Sequence, residues 1–169
     1  MIIRELLSRD RIAVHEMLVA CGAFTAEEVR VALDLVDEGL ACGSDESYLL
    51  FAAEVEGEVR GYVCIGRTPL TAATWHLYWI CVHPRARRTG IGRALQIHVE
   101  SSIRERGGER LVLETSSQPS YERARRFYEE GGYREVGRIR NFYKPNDDCI
   151  IFCKELATGR NPAPQDNMG

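Results

Sequence analysis

His76 to Leu95 reads HLYWICVHPRARRTGIGRAL, and the reading of this stretch decides the fold. It opens with apolar and aromatic residues at strand density and turns at His83-Pro84. It then runs through a basic loop into an amphipathic helix. A strand that feeds a glycine-containing loop at a helix N-terminus makes an anion site. Glycine lets the backbone approach closely, the unpaired N–H groups point outward, and the helix dipole favours negative charge. Arg85, Arg87, Arg88 and Arg93 add guanidinium donors suited to phosphate oxygens. Gly90-x-Gly92 lacks the spacing of a dinucleotide fingerprint, and no Gly-Lys-Ser/Thr follows as in a nucleotide-binding P-loop.

Outward from this stretch the chain punctuates itself. Ile2–Leu6 reads as a first strand. Asp10–Ala20 carries Ile12, Ala13, Met17 and Leu18 at helical spacing. Thr25-Ala26-Glu27-Glu28 is a capping box opening a second helix, with Val29, Ala32, Leu33 and Val36 inward and an expected stop near Gly39. A loop is expected over 41–47. Tyr48–Glu56 and Val59–Gly66 are two strands joined by a tight turn at Gly57, and Thr74–Val82 is the next. The helix after the basic loop is placed at Arg93–Arg106, with Ala94, Leu95, Ile97, His98 and Ile103 facing inward and Gly107-Gly108 ending it. Arg110–Thr115 is a strand and Ser120–Glu130 a helix. Arg134–Tyr143 and Asp148–Leu156 are terminal strands around the turn Lys144–Asp147. The order β-αα-βββ-α-β-α-ββ predicts an α/β (α+β) domain over residues 1–156. Its mixed, mostly antiparallel, twisted sheet of about seven strands has helices on both faces. Residues 157–169 are polar and Pro-bearing and read as a disordered tail.

Composition narrows the function. The 169 residues suffice for one domain with a real core. No apolar run reaches the roughly 18 residues of a membrane span, and the N-terminus lacks a basic segment followed by an apolar core. A cytoplasmic protein with no membrane partner is expected. Residues 1–60 hold 13 of the 25 acidic and 5 of the 22 basic side chains, so the acidic half could steer a cationic partner and the basic half contains the loop. A pI near 5.9, with basic residues gathered in one loop, argues against nucleic acid. Cys21, Cys42, Cys64, Cys81, Cys149 and Cys153 form no C-x-x-C and no His cluster stands beside them, which argues against a zinc site or a disulfide framework.

Arg87-x-x-Gly90-x-Gly92 resembles the acyl-CoA loop of the GNAT acetyltransferases. Ala124-Arg125-Arg126-Phe127-Tyr128-Glu129-Glu130-Gly131-Gly132-Tyr133 resembles a second segment of that family, and the element order matches as well. The resemblance covers about residues 1–156. It implies an N-acetyltransferase moving an acetyl group from acetyl-CoA to a primary amine, of a small molecule or a peptide, by direct attack in a ternary complex. No metal is expected, and a homodimer is compatible. A GNAT-fold module that senses acyl-CoA without turnover is the alternative.

By the same resemblance, the main chain of Ile80, Cys81 and Val82 would pair with the pantetheine arm and meet the oxyanion. Arg87, Arg88, Thr89, Gly90, Ile91, Gly92 and Arg93 would hold the diphosphate. Tyr121 stands where the family has Asn, so stacking on the cofactor replaces a side-chain hydrogen bond there. Tyr128 would protonate the departing thiolate. A phenol near pKa 10 stays protonated at neutral pH and can donate to a thiolate whose conjugate acid lies near 8.5. An attacking amine must first lose a proton; His76, Glu114, Tyr78 and water are the candidate acceptors. His76 and Tyr78, two apart on a strand, share a face. The acceptor pocket would be bordered by loops near 21–25 and 142–148. In the second of these, Asp147 and Asp148 read as turn residues or as carboxylates facing an amine or a calcium-like ion.

Overall fold

The computed structural model describes residues 1–42 and 48–156. Most of the loop expected at 41–47, and the whole tail expected at 157–169, lie outside the described residues. β1 (Ile2–Glu5) leads through a 3-10 turn into α1 (Arg11–Cys21) and α2 (Ala26–Cys42). β2 (Tyr48–Val55), β3 (Glu58–Arg67) and β4 (Thr74–Val82) follow, then α3 (Ile91–Glu105), β5 (Arg110–Ser116), α4 (Glu122–Glu130), β6 (Arg134–Lys144) and β7 (Asp147–Glu155). The seven strands form one sheet in the order β1-β2-β3-β4-β5-β7-β6. Every neighbouring pair is antiparallel except β4–β5, whose crossover through α3 returns the chain in the same direction. The predicted element order and mixed sheet are observed.

Local chemistry explains most boundaries. Thr25 and Glu28 form the expected capping box: the Thr25 N–H donates to Glu28 Oε2 at 2.7 Å, and the Glu28 N–H donates to Thr25 Oγ1 at 3.2 Å. Glu56 and Gly57 turn β2 into β3 with φ of 53° and 82°, the mirror-image turn that matches strand twist. Four expectations are corrected. The α1 stripe is Val14, Met17 and Leu18, with Ile12 turned outward at 69% exposure. α2 runs past Gly39 to Cys42, because Gly39 is a contact glycine rather than a stop; a Cβ there would lie 2.8 Å from Leu50 Cδ1. α3 begins at Ile91, and Ile97 is exposed while Gln96 and Val99 face inward. The last helix starts at Glu122, after a 3-10 turn at Pro119–Tyr121.

The core is split by the sheet. On one face α1 and α2 cover Leu50, Ala52, Tyr62, Cys64 and Cys81. On the other, Leu95, Val99 and Ile103 of α3 and Tyr128 of α4 cover Phe51, Val63, Ile65, Trp75, Leu77, Leu113 and Phe152. β2, β3 and β4 thus send side chains into both apolar layers, and the candidate site lies where β4 parts from β5.

Candidate active site

β4 and β5 pair over only three positions, Thr74 with Arg110, Trp75 with Leu111 and His76 with Val112. β4 continues to Val82 beyond that point, so the β5-facing main-chain groups of Leu77–Val82 have no strand to pair with. A bulge contributes to this opening. Cys64 opposes Trp79 and Ile65 opposes Leu77, which leaves Tyr78 as an extra residue in β4. The bulge reverses the alternation of side chains. Before it Trp75 and Leu77 face α3; after it Ile80 and Val82 do, while Tyr78, Trp79 and Cys81 pack toward α1 and α2.

The loop after β4 is built as an anion cradle. His83 Nδ1 accepts from the Arg85 N–H at 3.2 Å and caps the 3-10 turn Pro84–Ala86, a structural role that the sequence reading did not assign. Thr89 Oγ1 donates to the Ala86 carbonyl at 2.7 Å and draws the loop tight. Arg88 and Gly90 adopt left-handed conformations, φ 65° and 87°, with Gly90 as the N-cap of α3. Left-handed residues alternating with an ordinary one before a helix turn nearby N–H groups toward one point, and the first N–H groups of α3 add to it. Gly92 acts differently from Gly90: a Cβ there would meet Phe127 at 3.2 Å, so its lack of a side chain lets α4 close on α3.

Two of the four arginines in this region serve the protein. Arg87 donates to Cys21 Sγ at 2.8 Å and to the Cys21 carbonyl at 3.4 Å, binding the loop to the end of α1. Arg93 donates to Gln96 Oε1 at 2.8 Å and to the Gly131 carbonyl at 3.5 Å. The α4 end is further held by Lys154, whose ammonium donates to both Glu100 carboxylate oxygens at 2.7 Å and to the Gly131 carbonyl at 2.8 Å.

The candidate catalytic side chains lie on opposite faces of the sheet. Tyr128, only 8% exposed, sits on the α3–α4 side among Phe127, Tyr133 and Phe152, with ring centroids 5.5, 5.9 and 6.0 Å away. Burial alone pushes its phenol well above the ordinary value of 10. On the other side His76 packs on Tyr78 with ring centroids 4.6 Å apart, as their two-residue spacing predicts, and Tyr78 meets Tyr48 edge-on at 5.1 Å. Burial lowers the His76 pKa below 6.5 and outweighs the opposing pull of the Glu114 carboxylate. Glu114 is exposed on β5, two residues past the last β4–β5 pair. His76 and Glu114 stand on the two strands where β4 and β5 diverge.

Tyr121 joins the start of α4 to the turn before α2 and its first residues. Its hydroxyl donates to Glu28 Oε1 at 3.2 Å and to the Ala23 carbonyl at 3.5 Å, so the α2 capping residue also anchors the start of α4. Burial and the Glu28 carboxylate push its pKa up to about 12. Asp147 is buried and accepts from Ser116 Oγ. Asp148 accepts from the Asn141 N–H at 3.0 Å and pairs with Arg138 at 3.3 Å. The Asp147 carboxylate thus ties the start of β7 to the end of β5, the Asp148 carboxylate ties β7 to β6, and among the described residues no group of three or more His, Cys, Asp or Glu side chains is arranged to hold a metal ion. Among the same residues no helix is long and apolar enough to cross a membrane.

Comparison with known proteins bears on this geometry. The Acetyltransferase (GNAT) family model matches residues 11–133. The chain is 31% identical over 139 residues to the ribosomal protein bS18-alanine N-acetyltransferase of Escherichia coli K12, covering 80% of this chain and 90% of that enzyme. It is 38% identical over 88 residues to the 5-NmdU N-acetyltransferase of Pseudomonas phage PaMx11, a match spanning 52% of this chain and 59% of the phage protein. Among solved structures, a GNAT-family protein from Desulfovibrio desulfuricans superposes with a TM-score of 0.88 at 39% identity, over 92% of this chain and 99% of that one.

Proposed function

Given that the chain belongs to the GNAT acetyltransferase family, we propose that it transfers an acetyl group from acetyl-CoA to a primary amine by direct attack within a ternary complex. One observation carries this reading. β4 and β5 stop pairing after His76 and Val112, and the freed edge of β4 leads into an anion cradle at the N-terminus of α3, with ionisable side chains on either side of the gap. The residues present fit the cosubstrate: Arg88 and Gly90 hold left-handed geometry in the cradle, and β4 offers unpaired main-chain groups. Main-chain N–H groups of residues 88–93 hold the diphosphate. Ile80 and Val82 pair with the amide-bearing arm as an added strand would. Acetyl-CoA supplies an acyl carbon already activated as a thioester.

The protein's own groups then manage protons and charge. Burial keeps His76 neutral at physiological pH, so it can take the proton from the incoming ammonium, directly or through water. Glu114, at the opening on the neighbouring strand, is the rival acceptor. The amine nitrogen bonds to the acyl carbon, the carbon–sulfur bond breaks, and the second proton lost by the nitrogen ends on the released thiol. Main-chain N–H of Cys81 or Val82 meets the charge that develops on the acyl oxygen. Tyr128 donates its hydroxyl hydrogen toward the departing sulfur.

The names of the relatives support an amine acceptor: one acts on an alanine of a ribosomal protein, one on 5-NmdU, and a solved structure of the same fold is an aminoglycoside 6'-N-acetyltransferase bound to coenzyme A. The test is a mass-spectrometric screen of peptide N-termini and small amines with acetyl-CoA, run alongside measurement of thiol release. Amine-dependent thiol release with an acetylated product is expected. Tight acetyl-CoA binding with no product across the panel would instead identify a sensing module.

A further inference from the structure

α4 is a short helix with little apolar surface to hold it. Of its nine residues Tyr128 alone is fully buried, with Ala124 and Phe127 partly buried beside it. Polar contacts at its two ends set its place. At the first end Arg125 donates to the carbonyls of Ser116 and Gln118 at 2.7 and 2.9 Å. At the second, the contacts converge on one oxygen, the Gly131 carbonyl. The Lys154 ammonium of β7 donates to it at 2.8 Å, and Arg93, from the first turn of α3, reaches it at 3.5 Å. Only glycine fits at this position, because a Cβ would lie 2.2 Å from the Gln96 side-chain nitrogen. We propose that Lys154 is a positioning residue for acyl transfer: it fixes the Gly131 carbonyl and, through the last turn of α4, the reach of the Tyr128 hydroxyl.

The make-up of this clamp points the same way. Glu100 of α3 is only 4% exposed. Both of its oxygens lie 2.7 Å from the Lys154 ammonium, and the Tyr133 hydroxyl donates to it at 3.4 Å. A buried ion pair contributes little net stability compared with well-packed apolar side chains of similar volume. What apolar side chains cannot supply is a directed donor to the last carbonyls of a helix. An ammonium has three N–H bonds, which match the two Glu100 oxygens and the Gly131 carbonyl. The carboxylate holds the ammonium, and the ammonium holds the helix end.

Tyr128 lies three residues before Gly131, and its own carbonyl accepts from the Tyr133 N–H at 3.0 Å. The chain on both sides of Gly131 is therefore tied to Tyr128. No protein hydrogen bond among the described residues holds the Tyr128 hydroxyl, so its place follows that of the backbone that carries it. A shift of the Gly131 carbonyl is passed to the hydroxyl and leaves the main chain of the cradle where it is.

The kinetic half of this inference rests on the acyl-transfer reading, and the structural half does not. Lys154→Gln, and Lys154→Met combined with Glu100→Leu, are each made with Tyr128 present and with Tyr128→Phe. The apolar pair removes the clamp without leaving a buried charge, and Lys154→Gln supplies the measurement if that pair does not fold. Turnover of acetyl-CoA is followed with the most active amine of the panel. With Tyr128 present, kcat is expected to fall about tenfold, below the 10²-fold that a misplacement of about 1 Å can cost. Acetyl-CoA affinity by calorimetry is expected to stay unchanged. With Tyr128→Phe already in place no further fall is expected, because residues that act as a unit are not additive. An unchanged kcat in a folded variant, an equal fall in both backgrounds, or a loss of acetyl-CoA affinity in place of kcat overturns the proposal. Protein carrying 13C-labelled tyrosine gives a readout without turnover. The Tyr128 ring signal, identified by its loss in Tyr128→Phe, is expected to move or broaden in each Lys154 variant, and an unmoved signal overturns the proposal. A moved signal in a protein that acetylates no amine counts against the acyl-transfer reading and upholds the tie from Lys154 to Tyr128.

Discussion

Replacing Tyr128 by Phe separates activity from stability. The substitution deletes one hydroxyl and keeps the ring against Phe127, Tyr133 and Phe152. Burial is the sole perturbation of this phenol, and no protein partner among the described residues adjusts it further. A phenol near 10 and a thiol near 8.5 differ by about 1.5 units, so full proton transfer to the thiolate is already uphill by about 2 kcal/mol. Burial raises the Tyr128 pKa and steepens that slope. The hydroxyl therefore acts by donating a hydrogen bond to sulfur as charge develops, and a hydrogen bond to a charged group is worth about 1.5–3 kcal/mol. By rate arithmetic kcat falls about 10- to 150-fold, with acetyl-CoA affinity unchanged. The hydroxyl makes no protein hydrogen bond among the described residues, so its loss should leave the melting temperature within about 2 °C. Steady-state kinetics and thermal unfolding on the same preparation test both halves. Full activity would remove Tyr128 from the mechanism, and a melting temperature several degrees lower would show that the hydroxyl is structural.

Gly90→Asp places a carboxylate where a Cβ meets open space, at the mouth of the cradle. Asp tolerates the left-handed backbone, so calorimetry should show acetyl-CoA binding lost in a protein that still folds. For His76→Gln, the signature is in the pH profile. The buried imidazole is protonated and inactive at low pH, so kcat/KM of the unmutated enzyme should rise with pH through an apparent pKa below 6.5. The variant should lack that limb, and an unchanged profile assigns the base to Glu114, Tyr78 or water. Lys154→Met leaves Glu100 buried without its ammonium, a loss of about 3–5 kcal/mol in urea unfolding that Lys154→Met with Glu100→Leu should largely restore. Thr25→Ala removes one half of the capping box and should cost about 1 kcal/mol by the same assay.

Signals that act over a few residues were legible. Thr25 and Glu28 announced a helix start because capping depends on a three-residue spacing, and Glu56-Gly57 announced a hairpin because turn chemistry is local. The shared face of His76 and Tyr78 followed from strand geometry. What stayed hidden depends on partners distant in the chain. Gly39 reads like a helix stop, but what it answers to is the Leu50 side chain on the next strand. Gly90 and Gly92 look equivalent as letters; one supplies a backbone angle and the other makes room for Phe127. Arg87 and Arg93 looked like free phosphate donors, and their contacts with Cys21 and Gly131 reach 66 and 38 residues along the chain. The Tyr78 bulge leaves no mark in the strand's composition, although it decides which residues face the opening.

The position of β7 has a consequence for how the molecule is made. β5 holds β4 over three residues but holds β7 along its whole length, from Arg110 with Glu155 to Ser116 with Cys149. β6 is made before β7, yet it touches the sheet only through β7. While the chain is still being synthesised, β1 to β4 can settle against α1, α2 and α3 as they emerge. The wall of the opening that carries Glu114 must wait, because its long partner among the described residues is β7, which follows it in the chain. A nascent chain stalled before residue 147 therefore presents a finished cradle beside an unfinished wall, and the enzyme closes around its site only when synthesis reaches the far side of the sheet.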